Sequence, residues 1–379
     1  LTSTDNRFVG VLTLDATNSG SWRNVSVKTT APLSVAPLQS AGSVSLATQG
    51  AALTTSSIST SGSVSVDTRD SNGVGGAVSL GAATVSGSMT VQTGGGSVAQ
   101  TGQFVVTGDT SVAAAAGTIT LLNALNNFGG SLALQGTSTS VATSGDLQLA
   151  SVSNTGPMTL RAPNGSIDLG SAFITGGDLT LQSRDDMNLG GANITGSLNM
   201  SSTTGTVSFG QATVTGDLVA STQGQQVDLG SASVGGNLSV QTYGGNIVQS
   251  TAPNSALQVA GTSTLSAGAG NVTLPNVPNQ FGGAVSLQAS DVQLVGSDGL
   301  ILGSSTVSGN LSVTAATGHV TQSAPLNVAG TSSFTATHGD VLLNNANTLT
   351  QAVVVNAVNA TLHTASALTL GSSTVTGDW

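Results

Sequence analysis

Between Leu169 and Asp228 the chain repeats itself three times, in phase by chemistry more than by identity, with a unit of about 20 residues, the length of a short solenoid repeat. The blocks read LGSAFITGGDLTLQSRDDMN, LGGANITGSLNMSSTTGTVS and FGQATVTGDLVASTQGQQVD, and a fourth opens at Leu229 with LGSASVGGNLSV. Leu169, Leu189, Phe209 and Leu229 share one column, with Gly170, Gly190, Gly210 and Gly230 beside them. The same register aligns Ala172, Ala192, Ala212 and Ala232, then Ile174, Ile194, Val214 and Val234. So short a repeat cannot bury its own apolar side and must stack on copies of itself, which makes the chain a solenoid.

Within each repeat, apolar residues alternate with small polar ones, as at Ala232, Val234, Leu238 and Val240. That is the period of a strand. The apolar stretches are short and separated by Gly, Asn, Asp and Ser, the residues of tight corners. The leucine-rich-repeat consensus is missing, and a propeller blade needs about 40 to 45 residues. What remains is a parallel β-helix of three short strands and three turns per coil, with the right-handed crossover expected of parallel strands. About 19 coils at about 4.8 Å each would give a rod about 90 Å long, filled by stacked Val, Leu, Ile and Ala.

A longer repeat overlies the coil. LGAATVSGSMTVQTGGGSVAQTG from Leu80 returns as LGSASVGGNLSVQTYGGNIVQST from Leu229 and as LGSSTVSGNLSVTAATGHVTQSA from Leu302. NNFGGSLALQG at Asn126 matches NQFGGAVSLQA at Asn279, and NRFVGVLTLDA at Asn6 reads as an older copy. The module start recurs once more at Leu370. Tandem duplication of modules predicts that residues 1–379 form one continuous β-helix. It begins and ends inside the pattern, as a segment of a longer protein would.

The 379 residues include 16 Asp, no Glu, one Lys and five Arg, for a net charge of −10. As far as Asp70, Arg7, Arg23, Lys28 and Arg69 balance Asp5, Asp15, Asp67 and Asp70, so the rest of the chain carries the whole excess. Without a cationic stripe the surface repels nucleic acid and anionic membranes. The 38% hydrophobic share is periodic, which favours order. Cysteine is absent, which excludes disulfide frameworks and thiolate metal sites. No apolar run of about 20 residues could span a bilayer, and no signal peptide opens the sequence.

The phrases ITGGDLTLQS, VSGNLSVTAATGHVTQSAPLNVAGTSSFTA and NQFGGAVSLQA resemble the repeat regions of filamentous-haemagglutinin-like exoproteins, and the likeness covers nearly the whole chain. The resemblance implies a right-handed β-helical shaft of a secreted bacterial adhesin at the cell surface or in the extracellular matrix. It implies export of the parent through an outer-membrane transporter partner, and a role in attachment or biofilm cohesion. Its expected partners are extracellular polysaccharide or host glycan. The family's amino-terminal secretion domain is not recognisable in this sequence.

No enzyme, cofactor or metal is expected. A polysaccharide-degrading β-helix would need carboxylates and cations grouped on one face, and such groups are scarce here. Arg184, Asp185 and Asp186 form the densest cluster. Arg161 lies about one coil earlier, while Thr203, Gln223 and Tyr243 follow about one coil apart from each other. All could line one turn column, a sugar-binding ridge with Tyr243 as stacking platform. The alternative is a solvated corner.

His319 and His338, with Asp340 near and His363 further on, offer zinc ligands, although TGHV and THGD are out of register; surface turn histidines are the commoner case. Asp67, Asp70 and Asn72 have calcium-like spacing but lack the loop motifs, so a plain insertion between Val66 and Val78 is expected. The glycosylation-type triplets at Asn193, Asn237, Asn271 and Asn310 are read as turn residues where strands begin. No phosphate loop or GxSxG motif is present. Shaft, exopolysaccharide-binding segment and degrading enzyme are thus the three functions to be weighed, in that order.

Overall fold

The computed structural model describes residues 1–3, 6–14, 22–170, 173–250 and 255–379. Ala172 of the alanine column lies outside them. The chain forms two compact units, Leu1–Arg184 and Asp185–Trp379. Each is a parallel β-solenoid, and the described residues contain no helix.

In the second unit, one coil comprises a short first strand Met187–Asn188, a short second strand Asn193–Ile194 and a longer third strand Leu198–Ser202. Each pairs in parallel with its own copy one coil later: Met187 with Val207, Ile194 with Val214, Leu198 with Leu218. Alternation then decides what is buried. Leu198 and Met200 point inward while Asn199 is exposed, and the same pattern recurs at Leu218, Val219 and Ala220.

The repeat columns are the core. Leu189, Phe209 and Leu229 are fully buried, as are Ala192, Ala212 and Ala232, and Ile194, Val214 and Val234 are at most 2% exposed. Between the first two columns, Gly190, Gly210 and Gly230 turn the chain with φ of +56°, +55° and +52°. A Cβ on Gly230 would also lie 2.3 Å from the carbonyl oxygen of Gly210, so both conformation and coil spacing demand glycine here. Two residues before Gly190 and Gly230, Asn188 and Asp228 accept the glycine N–H on Oδ1 at 3.1 and 2.9 Å, which fixes the turn.

The first unit uses longer strands. Leu53–Thr60 pairs along its length with Val78–Val85, against which the next coil lays two pieces, Val98–Gln100 and Phe104–Val106. Coil length varies through loops at the corners. Val44 pairs with Val64 and Val64 with Met89, and the second of these coils is the longer because the loop from Asp67 to Gly76 bulges outward.

Among the described residues, three amide clamps, each built on a buried asparagine, interrupt the apolar interior, one in the first unit and two in the second. Asn126, Asn279 and Asn347 are all 0% exposed. Asn279 Nδ2 donates to Gln249 Oε1 at 2.8 Å, Gln249 Nε2 donates back to Asn279 Oδ1 at 2.7 Å, and that same oxygen accepts the Leu257 N–H at 2.9 Å. Gln322 and Asn347 repeat the arrangement around the Leu326 N–H, and Gln100 and Asn126 around the Phe104 N–H. Asn6, read from sequence as an older copy, instead donates to the Lys28 carbonyl, and among the described residues no glutamine bonds it.

Candidate functional site

The proposed turn column does not hold at Arg161. Arg161 sits on the strand Met158–Ala162 in register with Gln182, and Ala162 pairs with Ser183. Pro163 therefore precedes Arg184 at that corner, and Arg161 is exposed on a sheet face. The error is one of coil length, since the coil that carries Arg161 onto Gln182 is shorter than the stretch from Arg161 to Arg184. In the second unit, the pairing of Ser202 with Thr222 and of Ser221 with Gln241 does put Thr203, Gln223 and Tyr243 at one corner of successive coils.

Asp185 and Asp186 are engaged along the stack. Thr204 Oγ1 donates to Asp185 Oδ1 at 3.0 Å, and Asp186 Oδ1 accepts both the N–H (2.7 Å) and the hydroxyl (3.0 Å) of Thr206 in the next coil. Tyr243 is 58% exposed, with φ +52°. It occupies the place that Gly94, φ +63°, holds in the module beginning at Leu80. A left-handed conformation costs a non-glycine residue about 1 to 2 kcal/mol.

The bond made by Asp186 is general, and sequence reasoning missed it. At the strand-opening corners a side-chain oxygen of one coil accepts the main-chain N–H one coil later: Asp109 from Ser131, Asp146 from Ser166, Asp217 from Asn237, Asn237 from Thr262, Asn271 from Asp291, Asp291 from Asn310, Asn310 from Thr331, Asp340 from Asn359. Three of the glycosylation-type asparagines, Asn237, Asn271 and Asn310, are rungs of this ladder. Asn193 differs, being exposed on a second strand. The Ser131 hydroxyl and N–H hold the Asp109 carboxyl below its ordinary range.

Asp67 and Asp70 serve their own loop. Arg69 grips Asp67 through Nε at 2.9 Å and Nη2 at 2.8 Å, and this contact lowers the Asp67 pKa. Asp70 Oδ1 accepts the N–H groups of Asn72 and Val74 at 2.8 and 3.0 Å.

The three histidines do not converge. His319 Nδ1 accepts the Asp340 N–H at 2.9 Å, which makes His319 a rung where Asn246 serves in the preceding module. His338 Nδ1 faces the Ala316 carbonyl at 3.2 Å and His363 Nδ1 the Asn344 carbonyl at 3.1 Å. A carbonyl only accepts, so those two nitrogens carry the proton, whereas His319 carries it on Nε2 when neutral. Among the described residues no three His, Cys, Asp or Glu side chains gather as a metal set. His319→Asn should leave stability within about 0.5 kcal/mol of the parent, because asparagine supplies the same acceptor, while His319→Ala should lower it by about 1 kcal/mol. Urea unfolding of both variants tests this; equal losses would mean that the rung contributes nothing.

No curated protein and no solved structure matches this chain. A family described as repeats of unknown function (DUF5649) matches residues 70–135, 176–231, 215–288 and 289–356. Three of these segments begin shortly ahead of the module starts at Leu80, Leu229 and Leu302. With most of its length matched in phase with its own modules, the chain belongs to this family of repeats.

Proposed function

We propose that the chain is a non-catalytic shaft segment of a secreted, filamentous-haemagglutinin-like bacterial adhesin, serving attachment or biofilm cohesion by holding a binding tip away from the cell. The observation that carries this reading is how the side-chain oxygens are used. A degrading β-helix presents its carboxylates to substrate. Here Asp109, Asp146, Asp186, Asp217, Asp291 and Asp340 accept main-chain N–H groups of the following coil. Their chemistry is spent on joining coils.

Successive coils also repeat one construction, as a spacer requires, and main-chain pairing can supply stiffness without disulfides. On this reading the parent leaves the cell through an outer-membrane transporter, and absence of cysteine suits passage of an unfolded chain. The test is labelling of intact producing bacteria with an antibody to this segment, beside permeabilised cells. Surface label on intact cells, and weaker attachment when the segment is deleted in frame, are expected. Label confined to permeabilised cells would overturn the proposal, as would sustained release of reducing ends from polysaccharides by the purified chain.

A further inference from the structure

The chain's three histidines all lie in the second unit, and each uses Nδ1 to bond a neighbouring coil, but in opposite senses. His338 and His363 donate to carbonyls, and an imidazole that gains a second proton on Nε2 keeps such a bond. His319 accepts: its Nδ1 takes the Asp340 N–H at 2.9 Å, and a protonated ring has no acceptor left. Rungs such as Asp217, Asn237 and Asn310 are carboxylate or amide oxygens, which go on accepting throughout about pH 5 to 8, the range in which an imidazole changes charge. Ser97 and Asn246, which hold the place of His319 in the modules from Leu80 and Leu229, also accept through oxygen, from the Thr118 and Asn271 N–H groups at 3.2 and 2.9 Å.

The same nitrogen faces a second partner. Asp340 Oδ2 stands 3.4 Å from His319 Nδ1, while Asp340 Oδ1 accepts the Asn359 N–H and side-chain amide at 3.0 and 2.8 Å. The carboxylate is thus held beside the ring by the following coil. Leu300 pairs with Val320 and Val320 with Val341, which sets Asp298 on the coil before His319 and Asp340 on the coil after. Asp298 is exposed there and takes the Thr317 hydroxyl at 3.5 Å. From Asp185 onward the sequence has no Lys or Arg, so His338 and His363 are the unit's only other groups that can become positive, and both face carbonyls. The His319 side chain is 58% exposed, so protons reach it from solvent.

We infer that the His319–Asp340 corner is a proton-operated switch built into the coil stack. With the ring neutral, Nδ1 accepts the Asp340 N–H and ties the two coils together. When Nδ1 takes a proton from solvent, its new N–H and the Asp340 N–H point at one another. The main-chain rung then opens, the imidazolium turns its N–H to Asp340 Oδ2 in a charge-assisted bond, and the Asp340 N–H passes to water. One rung of the ladder is exchanged for an ion pair. Ser97 and Asn246 cannot make that exchange, so the response belongs to the module that begins at Leu302. The corner works this way whether or not the segment is a shaft.

The test is NMR of the full chain labelled with nitrogen-15 in its histidines and aspartates, followed from about pH 8 to about pH 5. At the upper end a scalar coupling across the hydrogen bond should join His319 Nδ1 to the Asp340 amide nitrogen. That coupling should vanish as the ring gains its proton, and the Asp340 amide should move with the same midpoint as the ring. His319→Asn should leave the Asp340 amide without a titration in this range, while His338→Asn should leave its response as in the parent. Asp340→Asn keeps the N–H but removes the charge, so His319 should take its proton at lower pH than in the parent. The remaining amide signals show whether each variant is folded. A ring that titrates without moving the Asp340 amide, a coupling that persists in the charged state, or an Asp340→Asn variant whose His319 titrates as in the parent would each overturn the inference.

Discussion

Val234→Asp should destabilise the second unit by about 3 to 5 kcal/mol at neutral pH, because it puts a carboxylate without a partner into a dry column. Val234 is 2% exposed and stands between Val214 and Val259 in the parallel register. Burial raises the folded-state pKa of the introduced aspartate above its unfolded value near 3.9. The folded state then holds the proton more tightly than the unfolded one. The variant should therefore be least impaired below about pH 4 and lose stability as pH rises through the folded pKa. Denaturant melts at pH 4 and pH 7 check both size and sign. A midpoint equal to the parent's at pH 7 would mean that the column faces solvent.

The columns of Leu189, Ala192 and Ile194 were legible because burial admits few residue types, so the same class recurs at each coil. The ladder was not legible. Any side-chain oxygen serves as a rung, so Asp186, Asp217, Asn237, Asn310 and even the His319 nitrogen fill equivalent roles without a repeated identity. Spacing failed for Arg161 for a related reason. Corners tolerate insertions, so a count of residues drifts out of phase while paired backbone does not. Gln100, Gln249 and Gln322 stood in the aligned module sequences, yet only the fold tells an amide engaged by a buried asparagine from an exposed one such as Gln258.

Asn279→Leu should lower stability by about 2 to 5 kcal/mol, although leucine is apolar and of similar size, because the loss strands two groups in the interior. One is the Leu257 N–H, which donates to Asn279 Oδ1 at 2.9 Å, and the other is Gln249 Oε1, which accepts from Asn279 Nδ2 at 2.8 Å, while Gln249 Nε2 keeps the Gly230 and Ser255 carbonyls at 3.2 and 3.4 Å. Each buried polar group left unmatched costs about 1 to 3 kcal/mol. Gln249→Leu should also destabilise, and the double variant should lose less than the sum of the singles, because neither then leaves the other's amide unpaired. Asn279→Asp separates the acceptor from the donor role. Its carboxylate keeps the bond from Leu257 but cannot donate to Gln249 unless protonated, so this variant should gain stability as pH falls towards about 4. If Asn279→Leu melted with the parent, the clamp would be a passive filler. If instead the loss were strictly additive with Gln249→Leu, the two amides would act independently, and the recurrence of the pair at Gln100 with Asn126 and Gln322 with Asn347 would need another cause.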